Sequence, residues 1–238
     1  MSIIVIEDIN IELIKKNIKN IHLSVHPPYG RVRLAVPLRM SDEAVNSFVV
    51  SRLSWINKQR KKYAKLEQQS EIEYKSGESH YYLGDRYILN VIETTGKQYI
   101  ELRNNKYMDL HVKPNSSKDK REKVLTEWYR QNLKLLIPDY IHKWESIIGV
   151  SVNEWNVKLM KTRWGTCNIR DKRIWINLEL IKKSPRCLEY IVVHEMVHLL
   201  ERYHNDNFKT YMNEFFPNWK SVRNELNGLT FDINNWAY

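Results

Sequence analysis

Between Ser184 and Leu200 the chain is apolar almost all round: Leu188, Ile191, Val192, Val193, Met196, Val197, Leu199 and Leu200 leave no polar face. A helix of that kind has to be buried. Ser184 offers an N-cap and Pro185 suits the first helical position. Yet His194, Glu195 and His198 sit inside the run. Buried ionisable groups are costly unless paired or metal-bound, so the conflict between apolar pattern and polar residues marks a site. His194 and His198 are four apart, hence one turn apart on one helix face. Two imidazoles there can hold one zinc ion. Glu195, beside them, is placed to take a proton from a zinc-bound water, whose pKa zinc lowers to about 7.

A catalytic zinc needs a third protein ligand and one open position. Glu201, three residues after His198, can share the helix face. His204, six after His198, reaches the metal only if the helix turns away first. Asn205-Asp206-Asn207 supplies turn chemistry and a cap for a following helix, Phe208 to Phe216. That tilts the choice slightly toward His204, and spacing alone leaves both open.

The rest of the chain reads as α+β. Ile18 to Val25 and Arg31 to Val36 alternate apolar and polar residues as half-buried strands do, with Pro27, Pro28 and Gly30 as the turn between them. Ser41 caps a helix that runs to about Leu66, with Asp42 and Glu43 in its first turn. Its later half interleaves Lys58, Arg60, Lys61 and Lys62 with Trp55 and Tyr63. A nucleic-acid surface has this look, although an amphipathic helix with Trp55, Ile56 and Tyr63 facing a core has it more often. Further strands are expected at Tyr81 to Leu83, Tyr87 to Ile92, Tyr99 to Leu102 and Met108 to Val112, with turns at Gly84-Asp85 and Gly96. Pro114 to Ser117 is the best linker candidate. It divides a β-rich region, 1–115, from a second region, 116–238, which opens with a helical stretch from about Lys120 to Ile148 that Pro138 interrupts. No internal repeat is visible.

The 38 Lys and Arg against 28 Asp and Glu give a net charge of +10, which favours phosphate-rich or acidic partners or serves solubility alone. Two lone cysteines, Cys167 and Cys187, without C-x-x-C spacing fit a reducing cytoplasm. The N-terminus has neither the basic start nor the apolar length of a signal peptide, and no segment reaches membrane-spanning length. No glycine-rich phosphate cradle is present, so no organic cofactor is expected.

The motifs together resemble the YgjP-like metallopeptidases, relatives of the WLM and SprT-like minimal zincins. Lys161-Thr162-Arg163-Trp164-Gly165-Thr166-Cys167 is similar to that family's K-S-R-W-G-S-C. Asn177-Leu178-Glu179-Leu180 is similar to its L-N-x-x-L strand end, and Tyr190 to His198 to its Y-V-V-x-H-E-L-x-H helix. His204 with Phe208 and Pro217, the early Trp55-Ile56 and the Tyr82-Leu83-Gly84 turn also have counterparts. Thr162, Thr166 and Asn205 replace serines but keep hydrogen-bonding or capping ability.

The resemblance implies a β-rich N-terminal region before a minimal zincin core, with His204 as third ligand. It also implies that the strand from Arg173 to Leu180 borders the cleft and pairs with an extended peptide. Arg163 and Trp164 would shape the cleft, Arg163 either stabilising a developing oxyanion or serving as a structural ion-pair partner. Cys167 is expected to be a buried thiol. Peptide hydrolysis is the leading activity. Nucleoside triphosphate pyrophosphatase chemistry, which has been linked to family relatives, and a non-enzymatic nucleic-acid-associated role are the alternatives.

Overall fold

The computed structural model describes residues 2–26, 30–67 and 72–228, without the side chains of residues 62–67 and 228. The chain divides into two compact units, Met1–Glu71 and Ile72–Tyr238, each with its own apolar core.

In the first unit β1 (Ser2–Ile6), β2 (Ile9–Lys16), β3 (His22–His26) and β4 (Arg31–Pro37) form one sheet in the order β1-β2-β4-β3. Its centre is the parallel pair β2 and β4, flanked by two antiparallel hairpins. Ile9, Ile11 and Leu13 alternate inward on β2, and Val32, Leu34 and Val36 on β4, the period of two that a half-covered sheet requires. The covering element is α1 (Asp42–Glu67), which buries Val45, Val49 and Ile56. Ser41 caps it, accepting from the Ala44 N–H at 3.2 Å. Trp55 packs against the same core, as the amphipathic reading expects. Lys58, Arg60 and Lys61 lie on this helix, while the side chains of Lys62, Tyr63 and Leu66, like the Pro27-Pro28 turn, fall outside the described residues.

The second unit begins with the same plan. β5 (Ser79–Tyr82), β6 (Asp85–Glu93), β7 (Tyr99–Arg103) and β8 (Tyr107–Val112) are ordered β5-β6-β8-β7, again two antiparallel hairpins about a parallel central pair. A long helix, α2 (Lys118–Ile148), again follows. The chain therefore contains a ββββα unit twice, a repeat that the side chains do not reveal. α2 buries Leu125, Tyr129, Leu133, Ile137, Ile141, Trp144 and Ile148, an unbroken stripe at helical spacing. Each such burial is worth roughly 1.5–3 kcal/mol. Pro138 does not interrupt it. Pro138 and Lys134, whose carbonyl loses its i+4 donor, are both exposed, so water can take the bond.

The expected boundary at Pro114–Ser117 lies within this unit, not between units. Ser116 is buried, its hydroxyl donates to the Lys113 carbonyl at 2.6 Å, and the Asn115 N–H donates to Glu93 at 3.1 Å. The turn is fastened to the sheet it leaves. In the N-terminal region the strand expected at Ile18 to Val25 begins only at His22, and β1 and β2 precede it.

The rest of the second unit carries a smaller sheet of β9 (Glu154–Lys158), β10 (Gly165–Asn168) and β11 (Arg173–Asn177), ordered β10-β11-β9. A 3-10 turn (Leu178–Lys182) and three helices follow: α3 (Pro185–Val197), α4 (Asp206–Phe215) and α5 (Trp219–Gly228). One continuous core runs from Tyr87 to Leu226. Among the described residues no helix is long and apolar enough to cross a membrane. Because the two cores share no residue, a chain of residues 72–238 is expected to unfold in one cooperative transition without residues 1–71. A broad, non-cooperative melt of that fragment by circular dichroism would show that the first unit completes the second core.

Candidate metal centre

The helix that bears the site, α3, is held at both ends. At its start Pro185 occupies the first turn, but Ser184 does not cap it with its side chain. The Ser184 hydroxyl donates instead to Glu225 of α5 at 2.8 Å. The β5–β6 turn lies against the same point. The Leu83 N–H donates to the Ile181 carbonyl at 2.8 Å, and Gly84, at φ +93°, leaves so little room that a Cβ there would stand 3.2 Å from Ser184 Cα. At its end α3 stops at Val197, with His198 as C-cap. Leu199 and Leu200 belong to a tightened last turn, bonded three residues back, and Leu200 is 41% exposed, so the apolar run is core only as far as Val197.

That early stop lets the chain turn back. His194, His198 and His204 each present a ring nitrogen, and the three atoms lie within 4.8 Å of one another. His204 Nε2 is 3.1 Å from His194 Nε2. His198 Nδ1 is 3.1 Å from the Glu201 carbonyl oxygen. A carbonyl can only accept, so Nδ1 carries the proton and the Nε2 lone pair is the one left for a metal. Glu201 thus orients the His198 ring through its backbone. Its carboxylate accepts the Tyr203 N–H at 3.0 Å and lies outside the histidine cluster. Asn205 accepts from the Phe208 N–H at 3.0 Å and caps α4, as its sequence position suggests. Phe208, fully buried, packs its ring against all three imidazoles with centroids 4.7 to 4.9 Å away. Burial holds the pKa of His194 well below the ordinary histidine value, with further lowering from His198 and His204. Burial also lowers the pKa values of His198 and His204. Neutral imidazoles with available lone pairs are what a cation needs.

Glu195 is 2% exposed. Its Oε1 has no hydrogen-bond partner among the described residues, and burial pushes its pKa up to about 8, against a smaller lowering by the Arg163 charge. Gly165 on β10 faces it: a Cβ at that position would stand 2.5 Å from Glu195 Oε1 and 2.7 Å from its Cγ. The strand backbone and the carboxylate occupy adjoining space that tolerates no side chain. The loop before β10 is held by Asn177, which is wholly buried. Its amide donates to the carbonyls of Met160 at 3.0 Å and Arg163 at 2.7 Å, and its Oδ1 accepts from the Met160 and Glu179 N–H groups. Gly165, Asn177 and Phe208 were visible in sequence only as letters of the resembling motifs; nothing in composition or periodicity singles them out.

A cleft of about 1170 Å³ opens over this centre, lined by Arg163, Thr166, Cys167, Glu195, His198 and His204 among others. Arg163 lies where expected. Trp164 does not border the cleft: it is 1% exposed in the core. The strand at the rim is β10. The Arg173–Leu180 segment is not an edge, because β11 pairs on one side with β10 and on the other with β9, and the chain from Leu178 is a 3-10 turn. Cys167 is half-buried in the cleft wall, and burial, reinforced by the Glu195 charge, pushes its thiol up to about 12. It stays protonated and is no nucleophile.

Two outcomes follow, the first for the metal-free protein. Glu195 binds its proton more tightly folded than unfolded, so between its unfolded value near 4.5 and about 8 folding takes up a proton and the Glu195 contribution falls as pH rises. The stability of Glu195→Gln relative to wild type is therefore expected to grow across that window and level off above it. Thermal melts in chelator would instead show a flat difference if Glu195 were ionised throughout. Gly165→Ala is expected to displace the Glu195 side chain, lowering any hydrolytic rate by at least ~10-fold while the protein stays folded; an unchanged rate would mean that the strand yields instead.

The description "YgjP-like, metallopeptidase domain" matches residues 19–229. No curated protein matches the chain. Among solved structures, the metallopeptidase zymogen of Pyrococcus abyssi abylysin is similar at 17% identity and a TM-score of 0.37, over 41% of this chain and 98% of its own. The metallopeptidase zymogen of Methanocaldococcus jannaschii jannalysin is similar at 18% identity and a TM-score of 0.33, over 40% and 94%. With the match running from β3 through the second ββββα unit and the histidine-bearing core, the chain belongs to the YgjP-like family and carries its metallopeptidase domain.

Proposed function

We propose that the protein is a zinc-dependent peptidase in which His194, His198 and His204 hold the metal and Glu195 is the general base. The observation that carries this reading is the convergence of three neutral imidazole nitrogens beside one buried carboxylate at the floor of an open cleft. The donor set fits the metal. Zinc–nitrogen bonds of 2.0–2.1 Å at tetrahedral angles put ligand nitrogens about 3.3 Å apart, close to the 3.1 Å between His194 and His204. Three histidines leave the fourth position to solvent or substrate.

When bound, the ion supplies Lewis-acid polarisation of a water and of the scissile carbonyl. Glu195 takes the proton from that water and delivers it to the departing nitrogen. A carboxylate can accept a proton and release it in turn, as both duties require. The β10 edge, Gly165–Asn168, offers backbone groups to an extended peptide. Arg163 stands at the cleft to stabilise negative charge developing on the carbonyl oxygen. A second reading, hydrolysis of a nucleoside triphosphate, is favoured by one observation: the cleft is lined by Arg163, Arg170 and Arg202, with Glu195 as its one carboxylate among the described residues. The same arginines suit an acidic peptide.

Zinc-loaded protein incubated with a peptide library and with nucleoside triphosphates separates the two. Glu195→Gln is expected to keep its zinc and lose at least ~10²-fold in rate, while His194→Ala loses metal and activity together. Metal analysis should find one zinc per chain in Glu201→Ala and much less in His204→Ala. Zinc retained in His204→Ala, or a wild-type rate in Glu195→Gln, would overturn the assignments.

A further inference from the structure

Two arginines reach the metal cleft from separate loops. Arg170 lies in the turn between β10 and β11, and Arg202 in the loop between α3 and α4; both are exposed and both line the cleft. Neither makes an ion pair among the described residues. The acids near them in sequence are turned to other uses. Asp171 is 3.2 Å from Arg173 and accepts from the Asn168 amide at 2.8 Å. The Glu201 carboxylate accepts the Tyr203 N–H at 3.0 Å, and Asp206 pairs with Lys209 at 2.8 Å. Glu195, the one carboxylate lining the cleft among the described residues, is buried, and the charge that acts on it is that of Arg163. Arg170 and Arg202 are thus left as uncompensated positive charge in the cleft.

The loops that carry them are fastened. The Asp171 N–H donates to the Asn168 side chain at 3.2 Å and the Lys172 N–H to the Ile169 carbonyl at 3.4 Å, which closes a turn around Arg170. The Leu200 and Glu201 N–H groups both donate to the Val197 carbonyl, at 2.9 and 3.0 Å, and the Arg202 guanidinium lies 5.4 Å from the centroid of the Tyr203 ring. Side chains presented from a fixed backbone lose less freedom on binding. Each arginine also stands within two residues of an exposed aliphatic that lines the same cleft, Ile169 at 38% and Leu200 at 41%. A guanidinium beside an aliphatic surface, twice over, suits a chain that carries both acidic and apolar side chains. A phosphate chain offers the charge and nothing to cover the aliphatics.

The two arginines read different positions. Arg202 is two residues from His204, at the metal end of the cleft. Gly165 lies against Glu195, and from there β10 advances about 10 Å to Asn168, with Arg170 beyond. A peptide laid along β10 therefore meets Arg202 next to its scissile bond and Arg170 about three or four residues further on.

We propose that the cleft recognises acidic peptides, with one Asp or Glu beside the scissile bond held by Arg202 and a second, further along the extended chain, held by Arg170. The proposal rests on the peptidase reading of the metal centre and names its substrate class.

The test has two arms. In the first, the zinc-loaded full chain cleaves a peptide library in which each position carries Glu, Gln or Lys in turn. Glu is expected to exceed Gln in kcat/KM by at least ~3-fold at each of two positions, and the excess should shrink as salt screens the pairs. Arg202→Gln should abolish the Glu-to-Gln ratio at the near position and Arg170→Gln at the far one. A folding defect would lower the rates for Glu and Gln peptides alike and spare the ratio. Arg170→Glu/Arg202→Glu should turn the preference to Lys. In the second arm, zinc-loaded Glu195→Gln binds labelled Glu and Gln peptides, and ATP, in an anisotropy titration that needs no turnover. Glu and Gln peptides cleaved equally well would overturn the inference and leave the peptidase reading standing. A Glu preference indifferent to both arginines would do the same. A Glu preference in binding that both arginines carry, with no peptide cleaved, would uphold the acidic recognition and overturn the peptidase reading. ATP bound and no peptide bound would overturn both.

Discussion

The interaction on which the site rests is the enclosure of Glu195 and His194 in an apolar core. Each is 2% exposed, in a helix whose neighbours are leucine, isoleucine, valine and methionine. Left alone, such burial would favour a neutral glutamic acid and neutral imidazoles, the direction in which all of these groups are displaced. A dication at the three ring nitrogens would reverse the balance for the carboxylate beside it, so that metal binding and the ionisation of Glu195 would be one equilibrium.

Such an arrangement persists only where its surroundings leave the side chains no alternative. Gly165 supplies one wall, and its missing Cβ is what allows β10 to lie beside the carboxylate. Asn177 ties the preceding loop by hydrogen bonds to Met160 and Arg163, so Arg163 reaches the cleft from a fastened backbone. The Glu201 carbonyl fixes the His198 tautomer, and Phe208 backs all three imidazoles with an apolar surface. His204 comes from beyond the helix, and it reaches the others because α3 ends at Val197. A helix continued through Leu200, as the apolar run suggests, would have carried the chain away.

What could be read in the sequence follows from this. The His194–His198 pair and Glu195 were legible because polarity inside an apolar helix is a local signal. The strands β5 to β8 were legible because they alternate with period two between recognisable turns. β1 and β2 were missed even though Ile9, Ile11 and Leu13 alternate as cleanly, since the turn between them is Glu7-Asp8, both at positive φ with neither glycine nor proline to mark them. The boundary was misplaced because a Pro-Asn-Ser-Ser turn looks the same whether it floats or is bonded to a sheet. The choice between Glu201 and His204 depended on where a helix stops, which is set by the packing of α4 and by bonds that spacing does not encode.

The repeated ββββα unit explains why the two halves of the chain look unalike despite a shared topology. Among the described residues α1 packs against its own sheet and buries Val45, Val49 and Ile56. α2 packs against its sheet and also against α3, the 3-10 turn and β9. Its longer buried stripe, with the aromatics Tyr129 and Trp144, answers that second demand. Trp144 donates to Glu189 of α3 at 3.1 Å, and Tyr129 donates to the Tyr81 carbonyl at 2.8 Å. The second copy is thus a scaffold as well as a sheet with a cover. Through α2 at its flank and the Gly84 turn at its start, it fixes both the position and the axis of the helix that presents His194 and Glu195. The contacts that α2 must make are met by side chains at the helix surface and leave strand order unaffected, so the two units share topology without sharing sequence.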